Sequence, residues 1–271
     1  MFDISVIRMQ QIFNTMKITE TYSFNPIRLD EMDRVKLMNR TDTKYWFHTS
    51  QLQNLLHGIQ ENYFMLNING EMALAYSTVY YDTIQNKMFA AHHNGKLNRY
   101  KIRRRSYVSS GISFLEVKFK NNKGRTIKKR ISSDFNHNNF TVQEREFLNT
   151  LTPFSVNELH TSLVNNFSRI TLVNKNFRER CTIDFNLQFE TSEKHIWLDN
   201  LVIVEIKSEG SPSNSPLARA LRDQRIKTSG FSKYCVGRTV TDARLKRNAF
   251  KHKIRSIEKI IQSGNNLYGT N

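Results

Sequence analysis

The chain has 271 residues, 38% of them hydrophobic, enough for one large domain or a domain with a helical appendage. Its formal net charge of +17 points to an anionic partner: nucleic acid, a phosphorylated metabolite or an acidic membrane surface. Two cysteines, Cys181 and Cys235, exclude a disulfide framework or a metal knuckle and read as buried thiols in a reducing compartment.

Residues 1–24 are weakly patterned and read as a leader, without the continuous apolar core of a signal peptide. No window holds the eighteen or so apolar residues of a membrane helix, so the expected location is cytoplasmic. Residues 28–39 interleave Leu29, Met32, Val35 and Leu37 with charges and predict a short amphipathic helix. Residues 40–47 alternate as a strand, with Arg40, Asp42, Lys44 and Trp46 on one face. Ser50 is placed to cap a helix through Ile59. From Ala73 the signals turn to strands, with one over 77–83 and a short helix or turn at 88–92.

Asn94-Gly95 then leads into Arg99-Tyr100-Lys101-Ile102-Arg103-Arg104-Arg105-Ser106-Tyr107. As a strand, this places Arg99, Lys101, Arg103 and Arg105 on one face, about 6–7 Å apart. Each such like-charge pair costs about 2.5 kcal/mol at an effective dielectric near 20. A fully wet face bears that cost; an enclosed one needs an anion. Residues 114–120 put Glu116, Lys118 and Lys120 on one face. Asn121 to Gly124 turns the chain into a return strand carrying Lys128 and Arg130.

Residues 141–151 predict a helix with a Thr141–Glu144 capping box, and 156–165 a second helical patch. Strands resume at 169–173, at 179–186 with Arg180, Thr182 and Asp184 on one face, and at 201–207. In the last, Glu205 and Lys207 oppose Val202, Val204 and Ile206. Pro212 and Pro216 bracket a Ser-rich loop, residues 217–227 read as a helix, and 243–261 as a long basic helix.

Strands with one apolar and one charged face, flanked by helices, imply an α+β fold: an antiparallel β-barrel tunnel with a charged lumen and helices outside. Arg and Lys along such a lumen suit a phosphate chain, and its carboxylates a hard divalent metal bridging phosphate oxygens. There is no Walker loop, Gly-x-Gly-x-x-Gly, His-Glu-x-x-His or Gly-x-Ser-x-Gly, which removes several common enzyme classes.

Arg40-x-Asp42-x-Lys44-Tyr45, Tyr81-Asp82-Thr83, the Arg99–Tyr107 ladder, Glu116-Val117-Lys118, Lys128-x-Arg130, Glu179-Arg180-x-Thr182-x-Asp184, Val204-Glu205-Ile206-Lys207 and Phe231-Ser232-Lys233-Tyr234 occur in one order. The set resembles the polyphosphate polymerase domain of the vacuolar transporter chaperone (VTC) complex, one of the triphosphate tunnel metalloenzymes related to CYTH-type triphosphatases. The resemblance runs over about residues 28–237. It implies a tunnel domain over 28–240, preceded by a leader (1–27) and followed by a basic helix and tail (241–271) packed on the same domain. It implies transfer of the γ-phosphoryl group of ATP to polyphosphate, with Mn²⁺ or Mg²⁺ held by Glu205 assisted by Glu116. Lys44, Arg103, Arg105, Lys118, Arg130, Arg180, Lys207 and Lys233 match phosphate-binding positions, with Arg99, Lys101, Lys128 and Asp184 behind them. Of these, Lys44, Arg103, Arg105, Lys118, Arg180 and Glu205 are the expected catalytic set. The expected partners are ATP and polyphosphate or triphosphate, with a membrane-associated protein partner and no specific nucleic acid.

Two other functions stay open at this level. The same fold could hydrolyse triphosphate, nucleoside triphosphates or polyphosphate. A non-catalytic RNA-binding module would instead need aromatics beside the cations, yet Tyr100 and Phe119 fall on the opposite face. Bland roles are expected for several residues: ion pairing for Asp42, a turn or strand end for Asp82, the surface for His92 and His93, and core positions for Tyr45, Trp46 and Tyr81.

Overall fold

Strands dominate the computed structural model, which describes residues 23–35, 40–134, 139–209 and 214–263. In chain order its elements are β1 (Asn25–Ile27), β2 (Arg40–His48), α1 (Leu52–Ile59), β3 (Tyr63–Leu66), β4 (Ala73–Thr83), α2 (Lys87–His93), β5 (Arg99–Tyr107), β6 (Ile112–Lys120) and β7 (Thr126–Ser133). There follow α3 (Val142–Leu151), β8 (Leu159–Asn174), β9 (Glu179–Glu190), β10 (His195–Leu198), β11 (Leu201–Glu209), α4 (Pro216–Asp223), α5 (Lys233–Thr241) and α6 (Lys251–Ser263).

Eight strands form one antiparallel path, β2-β11-β9-β8-β4-β5-β6-β7. β10 adds to β9, β3 to β8, and β1 runs parallel to β3. The expected antiparallel sheet with flanking helices is present, but the barrel is not closed by hydrogen bonds: among the described residues no backbone pairing joins β2 to β7. Twist and two irregularities, at Tyr80/Tyr81 and at Asn166/Ser168, curl the sheet instead. It curls far enough for Lys44 of β2 and Lys128 of β7, on opposite edges, to line one cavity.

The outward faces are apolar, as alternation requires. Tyr45, Phe47, Ile183, Val204 and Ile206 pack under α1 and α4, and Ile102, Leu115 and Val117 under α2 and α3. The inward face is charged over only part of its area. Tyr80, Leu163, Phe189, Leu201 and Ile203 also point inward, and α5 and α6 cover them with Tyr234, Cys235, Val236 and Ile257. Asn186 makes this possible on β9. Its positive φ of 52° sits at the register shift, so Asp184 and Leu187, an odd number of positions apart, face the same side.

Several local expectations change in the folded chain. Residues 156–165 are not a helix: a 3₁₀ turn, Val156–Glu158, leads into β8, and pairing with β4 and β9 on both edges overrides the local pattern. Within 28–39 a 3₁₀ turn, Asp30–Arg34, stands in place of the helix, and 36–39 lie outside the described residues. Ser50 is not a helix cap, since its own N–H donates to His48 Nδ1 (3.2 Å) and α1 begins at Leu52. The helix expected to run to Lys227 stops at Asp223, before Arg225 turns at φ 59°. The C-terminal helix starts at Lys251, after the 3₁₀ turn Asn248–Phe250. Helix α5 and strands β1, β3 and β10 were not anticipated by pattern alone. Most of the leader, 1–22, is outside the described residues, while Phe24 and Ile27 are buried. The Thr141 capping box forms as expected: Thr141 Oγ1 accepts from Glu144 N–H (3.2 Å) and Glu144 Oε2 from Thr141 N–H (2.9 Å). Both cysteines are free and buried.

Candidate functional site

Strand pairing sets the site. Cross-strand register places inward residues of β5, β6 and β7 in rows: Arg99–Lys120–Thr126, Lys101–Lys118–Lys128, Arg103–Glu116–Arg130, then Arg105–Phe114–Ser132. Arg169 of β8, Asp184 of β9, Glu205 and Lys207 of β11, and Asp42 and Lys44 of β2 make the facing wall. Phe231, Ser232 and Lys233, at the start of α5, close the floor. They enclose a cavity of about 380 Å³. Its lining holds eleven Lys and Arg side chains against three carboxylates, far from neutral. Enclosed like charge at this density calls for a bound polyanion.

The carboxylates are tied to cations. Glu205 lies between Lys44 Nζ (3.3 Å from Oε1) and Lys207 Nζ (3.2 Å from Oε2). Burial alone would raise its pKa, but Lys44, Lys207 and Arg169 hold it down at about 2. Asp184 accepts from Arg169 Nε (2.5 Å) and Nη2 (2.8 Å) and from Lys233 Nζ. Those two cations overcome burial and keep it well below the usual carboxylate range. Glu116 is fully buried, with Arg103 at 2.6 Å from Oε2 and Lys128 on Oε1; against burial, Arg103 foremost holds it at about 2.

Several cations of the lining show the opposite strain. Arg103, burial and Arg105 push the Lys118 amine down to about 5. Burial pushes Lys101 and Lys233 to about 8 and, with Arg103 and Arg169, Arg105 to about 10. Lys101 donates to Ser232 Oγ (3.1 Å) and Lys44 to the Phe231 carbonyl (3.2 Å), which anchors the α5 entry to both walls.

Of the residues singled out in the sequence, Lys44, Arg99, Lys101, Arg103, Arg105, Lys118, Lys128, Lys207, Lys233, Asp184 and Glu205 converge on this cavity. Glu116 lies beneath it, as a brace for Arg103 and Lys128. Arg130 lies outside the lining, its guanidinium 4.3 Å from the Phe114 ring centroid. Arg180 sits opposite Lys207 on the neighbouring strand and also outside the lining, near enough to lower the Lys207 amine after burial has done so. Arg169 was missed. Its sequence signal was weak: alternation with Ile170 and Leu172 places Arg169 on the charged face of the strand, but only pairing with β9 brings it against Asp184.

The bland expectations hold for some of these residues and not for others. Asp82 caps α2, accepting from the N–H groups of Met88 and Phe89 (both 2.9 Å). Tyr45 and Tyr81 are core residues, and Trp46 is half-buried against Phe231. His92 and His93, expected at the surface, are instead half-buried, because both rings pack on Phe250. Tyr100 and Phe119 stack at 4.6 Å on the outer face, away from the cations. Among the described residues no three His, Cys, Asp or Glu side chains cluster as a metal cage, and no helix is long and apolar enough to cross a membrane.

A family model described as the VTC domain matches residues 39–241, about three quarters of the chain. The chain belongs to the VTC domain family. The matched stretch runs from β2 through α5, so every residue of the cavity lining lies inside the VTC domain. No curated protein matches the chain. Among solved structures, a Bacillus halodurans protein named as a candidate adenylate cyclase is 10% identical, covers 72% of this chain and 96% of its own, and has a TM-score of 0.46. A Hippeastrum protein named as a candidate adenylyl cyclase with a dominant triphosphatase activity is 13% identical over 74% of this chain and 97% of its own, at 0.48. A Pyrococcus horikoshii protein is 11% identical over 72% and 97%, at 0.40.

Proposed function

We propose that this VTC domain is a polyphosphate polymerase, transferring the γ-phosphoryl group of ATP to a growing polyphosphate chain. The supporting observation is the charge arrangement. The eleven Lys and Arg of the lining less its three carboxylates and Glu116 beneath leave a formal excess of seven positive charges, more than one triphosphate neutralises, which leaves room for a second phosphate chain as acceptor. Glu205 and Asp184 are ionised and each is held by two cations, so neither is a useful base for activating water. A terminal phosphate arrives already ionised and needs no base. This favours transfer to phosphate over hydrolysis.

Catalysis then rests on position and electrostatics. Arg103, Arg105, Lys118 and Arg169 hold the donor phosphates and meet the charge that develops on the transferred group. Lys44, Lys207 and Lys233, on the facing wall and floor, hold the acceptor in line, and Arg180 takes phosphates beyond Lys207. Arg99, Lys101 and Lys128 extend the ladder. Glu116 positions Arg103 and Lys128.

The residues fit a divalent ion. Glu205 offers a half-buried, ionised carboxylate facing the cavity, and a hard cation such as Mg²⁺ is commonly held by one or two carboxylates plus substrate phosphates. Mg²⁺ or Mn²⁺ bound there would supply charge neutralisation of the phosphate oxygens, while Glu116, held under Arg103 and Lys128, is not placed to assist it.

The test is to incubate the protein with ATP and Mn²⁺ or Mg²⁺, with and without a short polyphosphate primer, and to run a polyphosphate gel beside a free-phosphate assay. Long chains that vanish in Glu205→Ala are expected. Free phosphate without chains would move the function to a triphosphatase. Neither product, with RNA bound tightly, would leave a binding module.

A further inference from the structure

One row past the cation ladder the inward face of the sheet becomes aromatic. Arg105 stands opposite Phe114, and Tyr107 opposite Tyr76. Tyr76 stacks on Phe167 (5.2 Å, 11°) and meets Tyr107 at 5.1 Å, while Tyr107 meets Phe114 edge-on at 6.1 Å. Tyr76 and Phe167 are buried and belong to the core. Phe114 and Tyr107 are only half-buried, and beside them Val108 and Ile112 are about half exposed, at 50% and 49%. The exposed Arg130 lays its guanidinium over the Phe114 ring at 4.3 Å.

A phosphate chain accounts for Tyr76 and Phe167, whose rings lie under the cavity cations Arg105, Arg169 and Lys233, but gives no reason for the half-buried Phe114 and Tyr107, because the face of an aromatic ring is electron-rich and repels an anion. A planar group joined to a phosphate chain does. Phe114, Glu116, Lys118 and Lys120 share one face of β6, so the shelf continues the cavity wall. Phe114 lies four residues from Lys118, roughly 13 Å along the strand at about 3.3 Å per residue, a span suited to the phosphates and ribose of a nucleotide.

We infer that Phe114 and Arg130, with Tyr107 at their edge, form a nucleobase shelf that makes a nucleoside triphosphate the preferred donor over inorganic tripolyphosphate. This rests on the proposed function of the cavity and adds donor selection to it. The base stacks on the Phe114 ring or on the planar guanidinium above it, both of which accept any base face. The shelf therefore selects for a base without selecting which one, and ATP and GTP bind within about threefold of each other.

The experiment is calorimetric titration of ATP and of inorganic tripolyphosphate into the protein without divalent metal, so that nothing turns over. In Phe114→Ala the Kd for ATP rises about tenfold while that for tripolyphosphate moves less than twofold, the size expected for one stacked base. Phe114→Tyr keeps ATP affinity, which separates loss of the ring from loss of fold. Arg130→Lys, which keeps the charge but not the plane, weakens ATP and spares tripolyphosphate. Equal loss of both ligands in Phe114→Ala, or no loss of either, overturns the shelf. Failure of tripolyphosphate to bind the unaltered protein is a separate result, and overturns the triphosphate reading along with it.

Discussion

Arg103 and Arg105 point into the same cavity two positions apart on β5, and only Arg103 has a carboxylate. Glu116 lies 2.6 Å from its Nη2, and the guanidinium's pKa is raised although burial would lower it. Arg105 donates to Thr78 Oγ1 at 3.4 Å and lies 5.9 Å from the Tyr76 and Phe167 ring centroids, and burial with Arg103 and Arg169 lowers its pKa to about 10. One guanidinium is paired with a carboxylate; the other is surrounded by a hydroxyl and two aromatic rings. The same division separates braced Lys128 from Lys118.

Lys118 leads to a proton-uptake prediction. Its pKa is about 5 in the empty cavity, so it is mostly neutral at pH 7.5. A bound phosphate chain raises that pKa, so the complex holds more protons than the free protein and binding takes one up. The sign follows: affinity falls as pH rises above about 5, through the window between the free and bound values. Titration of tripolyphosphate at pH 7.5 in buffers of differing ionisation enthalpy should show greater proton uptake in the unaltered protein than in Lys118→Met. Equal uptake would refute the assignment.

Glu205 should separate binding from turnover. Its carboxylate is ionised throughout the neutral range, so Glu205→Gln removes one negative charge from beside Lys44 and Lys207. Metal-dependent turnover should fall about 100-fold, in the range seen when a metal-site or transition-state electrostatic contact is lost. Tripolyphosphate affinity measured without metal should hold or rise. A parallel loss of affinity would make Glu205 a structural brace.

Gly237 is a packing test. A Cβ built there would lie 2.5 Å from Leu163 Cδ2 and 2.6 Å from Phe189 Cδ1, both fully buried. Gly237→Ala should destabilise by about 1–3 kcal/mol through overpacking, read as a lower urea midpoint. Because α5 carries Lys233 one turn before Gly237, tripolyphosphate affinity should fall as well. An unchanged midpoint would mean α5 is not seated against β8 and β9.

Arg104 and Glu144 form a buried pair on the outer face, with Arg104 Nη2 3.0 Å from Oε2 and side chains 3% and 2% exposed. Glu144 also accepts from Ser133 Oγ of β7 and closes the α3 capping box. Removing one partner, as in Glu144→Leu, should cost about 3–5 kcal/mol, whereas Arg104→Met combined with Glu144→Leu should recover much of it. Chemical unfolding of the three variants checks this; an additive double variant would show that the two charges are not coupled.

The cation ladder was legible in the sequence because strand alternation is local: residues two apart on β5 must share a face, whatever the rest of the chain does. So were the apolar backs of β6, β9 and β11, the Thr141 capping box and the ordered motifs that resemble the VTC family. Contacts between distant segments were not. Nothing local to 156–165 shows that β4 and β9 will flank it, and nothing local to 233–241 shows that this helix will cover the inward face of the sheet. Arg169 and Asp184 lie on different strands, and only pairing at that register makes them an ion pair. Which carboxylate is sealed off and which faces the cavity was likewise decided by the fold: Glu116 lies under Arg103 and Lys128, while Glu205 lines the cavity, because the curl of the sheet sets which side chains close on one another.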